Sequence, residues 1–171
     1  MKIKYNENKM IYIAHRGNLN GPDLENENKP EYLLEAIESG FFVETDLWLI
    51  NSLLYLGHDE PQYEINIDFL LKIKDKLFCH CKNIAALDFI INNYKEIECF
   101  YHDKDDCVLT SKNNIWTSPG KELFHSSICV MPERSNKIPL NCLGVCTDYP
   151  LKYKKINFIK YIGNVNSYNW R

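Results

Sequence analysis

The sequence predicts an α/β fold, a parallel barrel of the (β/α) TIM type that is shortened or irregular in its second half. Two patterns carry that prediction. Short apolar runs rich in β-branched and aromatic residues recur along the chain, and several are separated by stretches of helical periodicity. A third observation limits it: 171 residues is short for a full eight-fold barrel, which usually takes about 250 residues and seldom fewer than about 200.

The elements follow in order. Strand-like runs are expected at 10–14 (MIYIA), 41–46 (FFVETD), 53–57 (LLYLG), 77–81 (LFCHC), 97–101 (IECFY), 127–131 (SICVM), 143–146 (LGVC) and 158–162 (FIKYI). Pro30 opens a helix, PEYLLEAIES, that sets Leu33, Leu34 and Ile37 on one face and stops at Gly40. Residues 67–76 and 84–94 share that periodicity, and Pro150 begins a short helical piece over 150–155. Asn51-Ser52 makes a hairpin between the 41–46 and 53–58 runs. The segment 102–126 offers turns and extended fragments but no helix, which locates the irregular half.

Length and composition predict one domain, 1–171, with a proper core: 45% of residues are hydrophobic and 13% aromatic. A net charge of −3 excludes a global basic field, so no nucleic-acid partner is expected. No run is long enough for a signal peptide or a transmembrane segment. The seven cysteines lack framework spacing, and Cys79, Cys129 and Cys146 fall inside strands; a reducing, cytoplasmic setting is expected.

Strand side chains alternate between two faces, so parity shows which residues point together. Phe42, Glu44 and Asp46 share a face, as do Ile11, Ile13 and His15, and His80 and Lys82. The 53–58 run ends in His58, followed by Asp59. Polar groups at the carboxyl ends of parallel strands point into the mouth where such folds bind ligands. Each has a bland alternative: a structural histidine, a solvated acid pair, or an HRG turn that uses Gly17 for its positive φ. Their arrival at the ends of four neighbouring runs argues for one shared site.

The ordered set AHRGN, an ExD pair in ENENKPEYLLEAIESGFFVETDLWL, and GHD resembles the glycerophosphodiester phosphodiesterase family of phospholipase-C-like barrels. GVCTDYP is similar to that family's strand-to-helix turn before its last strand. The resemblance is strong over 10–60, fair at 77–83 and 143–150, and thin between. It implies His15 and His58 as general acid and base, Arg16 on a phosphate oxygen, and Glu44 and Asp46 holding one divalent cation, magnesium or calcium. Lys82 would supply a second positive charge to the phosphate, and the substrate would be a small or lipid-derived phosphodiester. Such chemistry is chiefly positioning and charge neutralisation of a reluctant anion.

The family's E-x-K motif reads HCK in this chain, so His80 stands where a carboxylate ligand is expected. If His80 ligates, the donor set suits manganese, cobalt or zinc better than magnesium or calcium; otherwise it lines the pocket or meets phosphate. A Cys79–His80–Cys81 zinc clip is disfavoured because alternation turns the histidine away from both thiols. His102, Asp103, Trp116 and Glu133 are candidates for the mouth, although Trp116 also suits the core and HDKDD a solvated turn. Two further readings stand beside the hydrolase: a non-catalytic member of the fold that binds a phosphorylated ligand, and an unrelated α/β protein.

Overall fold

The computed structural model describes residues 10–135, 139 and 141–156. Ten strands form one mixed sheet: β1 (Ile11–His15), β2 (Phe42–Ile50), β3 (Leu53–Leu56), β4 (Tyr63–Ile65), β5 (Leu77–Cys81), β6 (Cys99–Phe100), β7 (Cys107–Leu109), β8 (Ile115–Thr117), β9 (Ser127–Val130) and β10 (Gly144–Thr147). Strands β6, β5, β2, β1, β10, β9 and β8 pair in parallel in that order. β3, β4 and β7 are antiparallel additions.

This arrangement corrects the expected TIM-type barrel. The sheet is a half-barrel with few helices, and among the described residues no ladder joins β6 to β8. Helices α1 (Pro30–Glu38), α2 (Ile67–Ile73) and α3 (Ile84–Asn93) all precede residue 94, and a helix over 150–156 follows β10. Between β6 and β10 the described residues of the connections form a hairpin, loop and a 3-10 turn at Pro132–Arg134. The physical reason is chain length: the links 101–114 and 118–126 are spent on β7 and loops, so the regular strand–helix alternation fails there. β2 departs from the ideal as well. Its first half pairs with β1 and β5, and its second half leaves the parallel sheet to form a hairpin with β3. Asn51 and Ser52, at φ 50° and 67°, make the two-residue turn of that hairpin.

Two apolar layers hold the sheet. Outside it, α1, α2 and α3 pack on Val43, Leu47, Leu77, Cys79 and Cys81. Both helices that follow β4 and β5 start on a capping asparagine, Asn66 accepting from Phe69 N and Asn83 from Ala86 N. Inside the curve lie Ile13, Phe78, Phe100, Trp116, Ile128 and Cys146. Phe78, Trp116 and Phe100 pack there at centroid distances of 5.7 and 4.5 Å. The hydroxyl and backbone of Ser111 bridge to Cys99 on the side of β6 that has no strand partner among the described residues. The expected strand at 158–162 lies outside the described residues.

Gly144 opens β10 against β1, and a Cβ there would lie 2.7 Å from the Ile11 carbonyl oxygen. Backbone cannot yield as a flexible side-chain tip does. Gly144→Ala is therefore expected to destabilise the fold by about 1–3 kcal/mol, read as a lowered urea midpoint.

Candidate active site at the strand ends

The inner faces of the strands are apolar at their base and polar at their carboxyl ends. Ile11 and Ile13 lead to His15, Phe42 to Glu44 and Asp46, Phe78 to His80, Phe100 to His102, and Cys146 to Asp148. These ends enclose a pocket of about 150 Å³ lined by His15, Arg16, Glu44, Asp46, His58, His80, His102, Trp116, Val130, Met131 and Arg134.

Glu44 and Asp46 form its floor, 2% and 1% exposed. A buried carboxylate is tolerated only with compensating charge or hydrogen bonds. Asp46 has both. Its Oδ1 lies 3.0 Å from His80 Nδ1 and 3.5 Å from Lys82 Nζ. Its Oδ2 accepts a hydrogen bond from Asn28 Nδ2 at 3.1 Å and lies 3.0 Å from Arg16 Nε. That last contact is off the line of the N–H, so it is ionic without being a hydrogen bond. Burial opposes ionisation of Asp46, but the His80 hydrogen bond and the Arg16 charge outweigh it and hold the carboxyl well below its usual range. Glu44 is less well served. Its Oε2 accepts only the Arg16 backbone N–H, at 3.2 Å, while Oε1 stands 3.9 Å from His80 Nδ1 and takes no hydrogen bond among the described residues. Burial and the adjacent Asp46 push its pKa up.

The HRG turn sets the cation beside these acids. Arg16 and Gly17 both adopt positive φ, 52° and 89°, which folds the chain back so that Arg16 meets the pair. Its Nη1 donates to Glu27 at 3.0 Å. Asn28, itself at φ 65°, accepts from Thr45 Oγ1 and from the Asp46 backbone N–H.

Each histidine has its own anchor. His15 Nδ1 lies 2.7 Å from Asp148 Oδ1, which also accepts from the buried Asn18 amide. Burial alone would lower the His15 pKa, but the Asp148 hydrogen bond and the Glu44 charge raise it. Burial likewise opposes ionisation of Asp148, yet the His15 hydrogen bond keeps its pKa low. An ionised Asp148 only accepts, so His15 Nδ1 is the donor and Nε2 is left to exchange protons. His58 is more open, with Nδ1 2.7 Å from the exposed Asp59, and burial with the Arg16 charge lowers its pKa. His80 packs its ring near-parallel to both Phe100 and His102, at 5.1 and 4.6 Å, and those two rings stand 6.0 Å from each other; its Nδ1 is directed at the acid pair.

The structure thus gathers His15, Arg16, Glu44, Asp46, His58 and His80 in one pocket, while Lys82 reaches the cluster through Asp46. His102 and Trp116 join the lining, and Trp116 is also buried in the inner core. Residues 103–106 are exposed, as a solvated turn requires. Glu133 does not line the pocket; it accepts from Thr147 Oγ1 and from the Asp148 backbone N–H and so braces that aspartate. Asn18, Glu27, Asn28 and Asp148 were not singled out as site residues by sequence reasoning. TDYP at 147–150 was the one local signal for Asp148.

Glu44, Asp46 and His80 offer ligand atoms within 4.8 Å of one another. The donors would have to draw together around one ion, since His80 Nδ1 and Asp46 Oδ1 already share a hydrogen bond at 3.0 Å and Glu44 Oε1 stands 3.9 Å from the ring. The under-partnered Glu44 Oε1 is where such an ion would be welcome. Glu44, Asp46 and His80 could together hold a divalent cation.

A pH dependence follows from the His15–Asp148 pair. His15, raised from 6.5, stabilises the fold below that value and loses its contribution as pH rises through the folded pKa. Asp148, lowered from 3.8, contributes above that value and loses it as pH falls through its own folded pKa. Asp148→Asn should therefore cost more stability near about pH 5.5 than near about pH 9, in urea titrations at each pH. Equal losses at both would show that no ion pair is present.

No protein-family model, curated protein or solved structure matches the chain.

Proposed function

We propose that the protein is a metal-dependent phosphodiester hydrolase, similar in chemistry to glycerophosphodiester phosphodiesterases, that cleaves a small or lipid-derived phosphodiester. One observation carries the reading: His15 and His58 line the same small pocket as the buried Glu44–Asp46 pair. Any one of these groups has an ordinary structural use. Two imidazoles over an acid pair that sits beside Arg16 make the arrangement needed for acid–base attack on an anionic ester.

When bound by Glu44, Asp46 and His80, a divalent cation would supply Lewis acidity toward the phosphoryl oxygens. The chain's own groups do the rest. Arg16 holds Asp46 and Glu27 in place, and Asp148 fixes the His15 ring so that Nε2 faces the pocket and can pass a proton. His58, anchored by Asp59 at the outer edge, moves the second proton. With imidazole among the donors, manganese, cobalt or zinc are favoured over magnesium or calcium. All seven cysteines are free, which supports a reducing, cytoplasmic setting. Among the described residues no helix is long and apolar enough to cross a membrane.

The second reading, a non-catalytic protein that binds a phosphorylated ligand, is favoured by His80 in place of an acid and by the irregular second half. Turnover of bis(p-nitrophenyl) phosphate and glycerophosphocholine, with magnesium, calcium, manganese, cobalt and zinc in turn, separates the two. His15→Ala and His58→Ala should each lower kcat by about 10²- to 10⁴-fold. Phosphate binding without turnover under any metal would select the non-catalytic reading. His80→Ala should weaken manganese binding about tenfold or more by calorimetry, and unchanged affinity would remove His80 from the ligand set.

A further inference from the structure

Nearly every cation at this site is already committed. The Arg16 guanidinium faces Glu27 and Asp46, Lys82 faces Asp46, His15 faces Asp148, and His80 faces Asp46. Arg134 is the exception. It lines the pocket, is exposed, and makes no ion pair with any described residue.

Its position is built rather than incidental. Arg134 ends the 3-10 turn Pro132–Arg134, which Met131 enters in the left-handed region at φ 44°. A long unbranched apolar side chain, unlike asparagine or serine, has no local hydrogen bond to offset that conformation, so its surroundings must hold it. Here Met131 N donates to the Cys146 carbonyl at 2.7 Å, and Arg134 N donates to the Met131 carbonyl at 2.9 Å. Between them Glu133 grips Thr147 Oγ1 and Asp148 N. The turn that presents Arg134 is thereby tied to the aspartate that orients His15.

Pocket size decides what Arg134 would meet. Ligand cavities usually run from about 300 to 1,000 Å³. This one, at about 150 Å³, has room for a phosphoryl group and little else, so the alcohol portions of a diester must project outward. We propose that Arg134, rather than Arg16, is the side chain that binds the substrate phosphate, and that Arg16 serves to hold the acid pair. This rests on the phosphodiesterase reading for the identity of the substrate, but not for the presence of an anion site. An arginine fork can take two oxygens of one phosphate, which a lysine cannot reproduce.

The test uses the full chain with manganese present and inorganic phosphate as the probe, measured by calorimetry for wild type, Arg134→Gln and Arg134→Lys. Arg134→Gln should weaken phosphate binding by about 10- to 100-fold and Arg134→Lys by less, with manganese affinity unchanged in both. Equal phosphate affinity in wild type and Arg134→Gln overturns the assignment, as does a wild type that binds no phosphate. Turnover of bis(p-nitrophenyl) phosphate separates this from the hydrolase reading. An unchanged KM in Arg134→Gln with turnover intact defeats the Arg134 assignment alone. Arg134-dependent phosphate binding without turnover under any metal defeats the hydrolase and leaves the anion site standing.

Discussion

The structure depends on one costly placement, two carboxylates two residues apart on a strand whose inner face is closed from water. Glu44 and Asp46 cannot both be buried and ionised unless positive charge is brought to them. Much of the surrounding local structure can be understood as that compensation. The left-handed HRG turn returns Arg16 over the pair, Asn28 takes a positive φ to reach Asp46, and His80 turns its Nδ1 toward both acids. The compensation is uneven. Asp46 is met on both oxygens by cationic or donor groups, whereas Glu44 has one backbone N–H and the imidazoles of His15 and His80 at 4.0 and 3.9 Å. That imbalance gives the pocket its chemical character, because Glu44 is the acid left with capacity for a further positive partner.

Strand parity carried a large share of the site in the sequence itself. A period of two is rigid, so once 41–46 is a strand, Phe42, Glu44 and Asp46 must share a side, and the same rule sets His15 above Ile13 and His80 above Phe78. The Asn51-Ser52 hairpin was readable for a similar reason, since two adjacent small polar residues adopt positive φ at low cost. What could not be read is contact at long range. Asp148 lies 133 residues from His15, and no local pattern announces that their strands are neighbours. Asn18, Glu27 and Asn28 lie in a loop without periodicity, where side-chain direction depends on individual φ values that sequence does not dictate.

The barrel expectation failed on a different physical point. Alternating strands and helices were visible up to residue 93, and the inference that the alternation closes a ring assumed a regular second half. Closure needs enough chain to cross over between every strand pair, and between β6 and β9 the chain spends its residues on a hairpin and short loops. β2 adds a second cause, because its outer half is captured by β3 instead of continuing beside β5.

A half-barrel can nevertheless carry the site because the site does not draw equally on all strands. The acid pair, three of the histidines and Arg16 come from β1, β2, β5, the turn after β1 and the end of the β2–β3 hairpin, the part of the sheet buttressed by helices. The helix-poor side contributes Asp148, Glu133, Met131 and Arg134, and there rigidity comes from other means. The tilted cluster of Phe78, Phe100 and Trp116 fills the interior where no ladder joins β6 to β8 among the described residues, and Glu133 ties the turn after β9 to the end of β10. Packing and the half-buried Glu133 carboxylate thus do for the second half what helices do for the first. Those groups hold the same pocket from the opposite side, so a change in the turn after β9 is felt at His15 through Asp148, although the two elements are not adjacent strands.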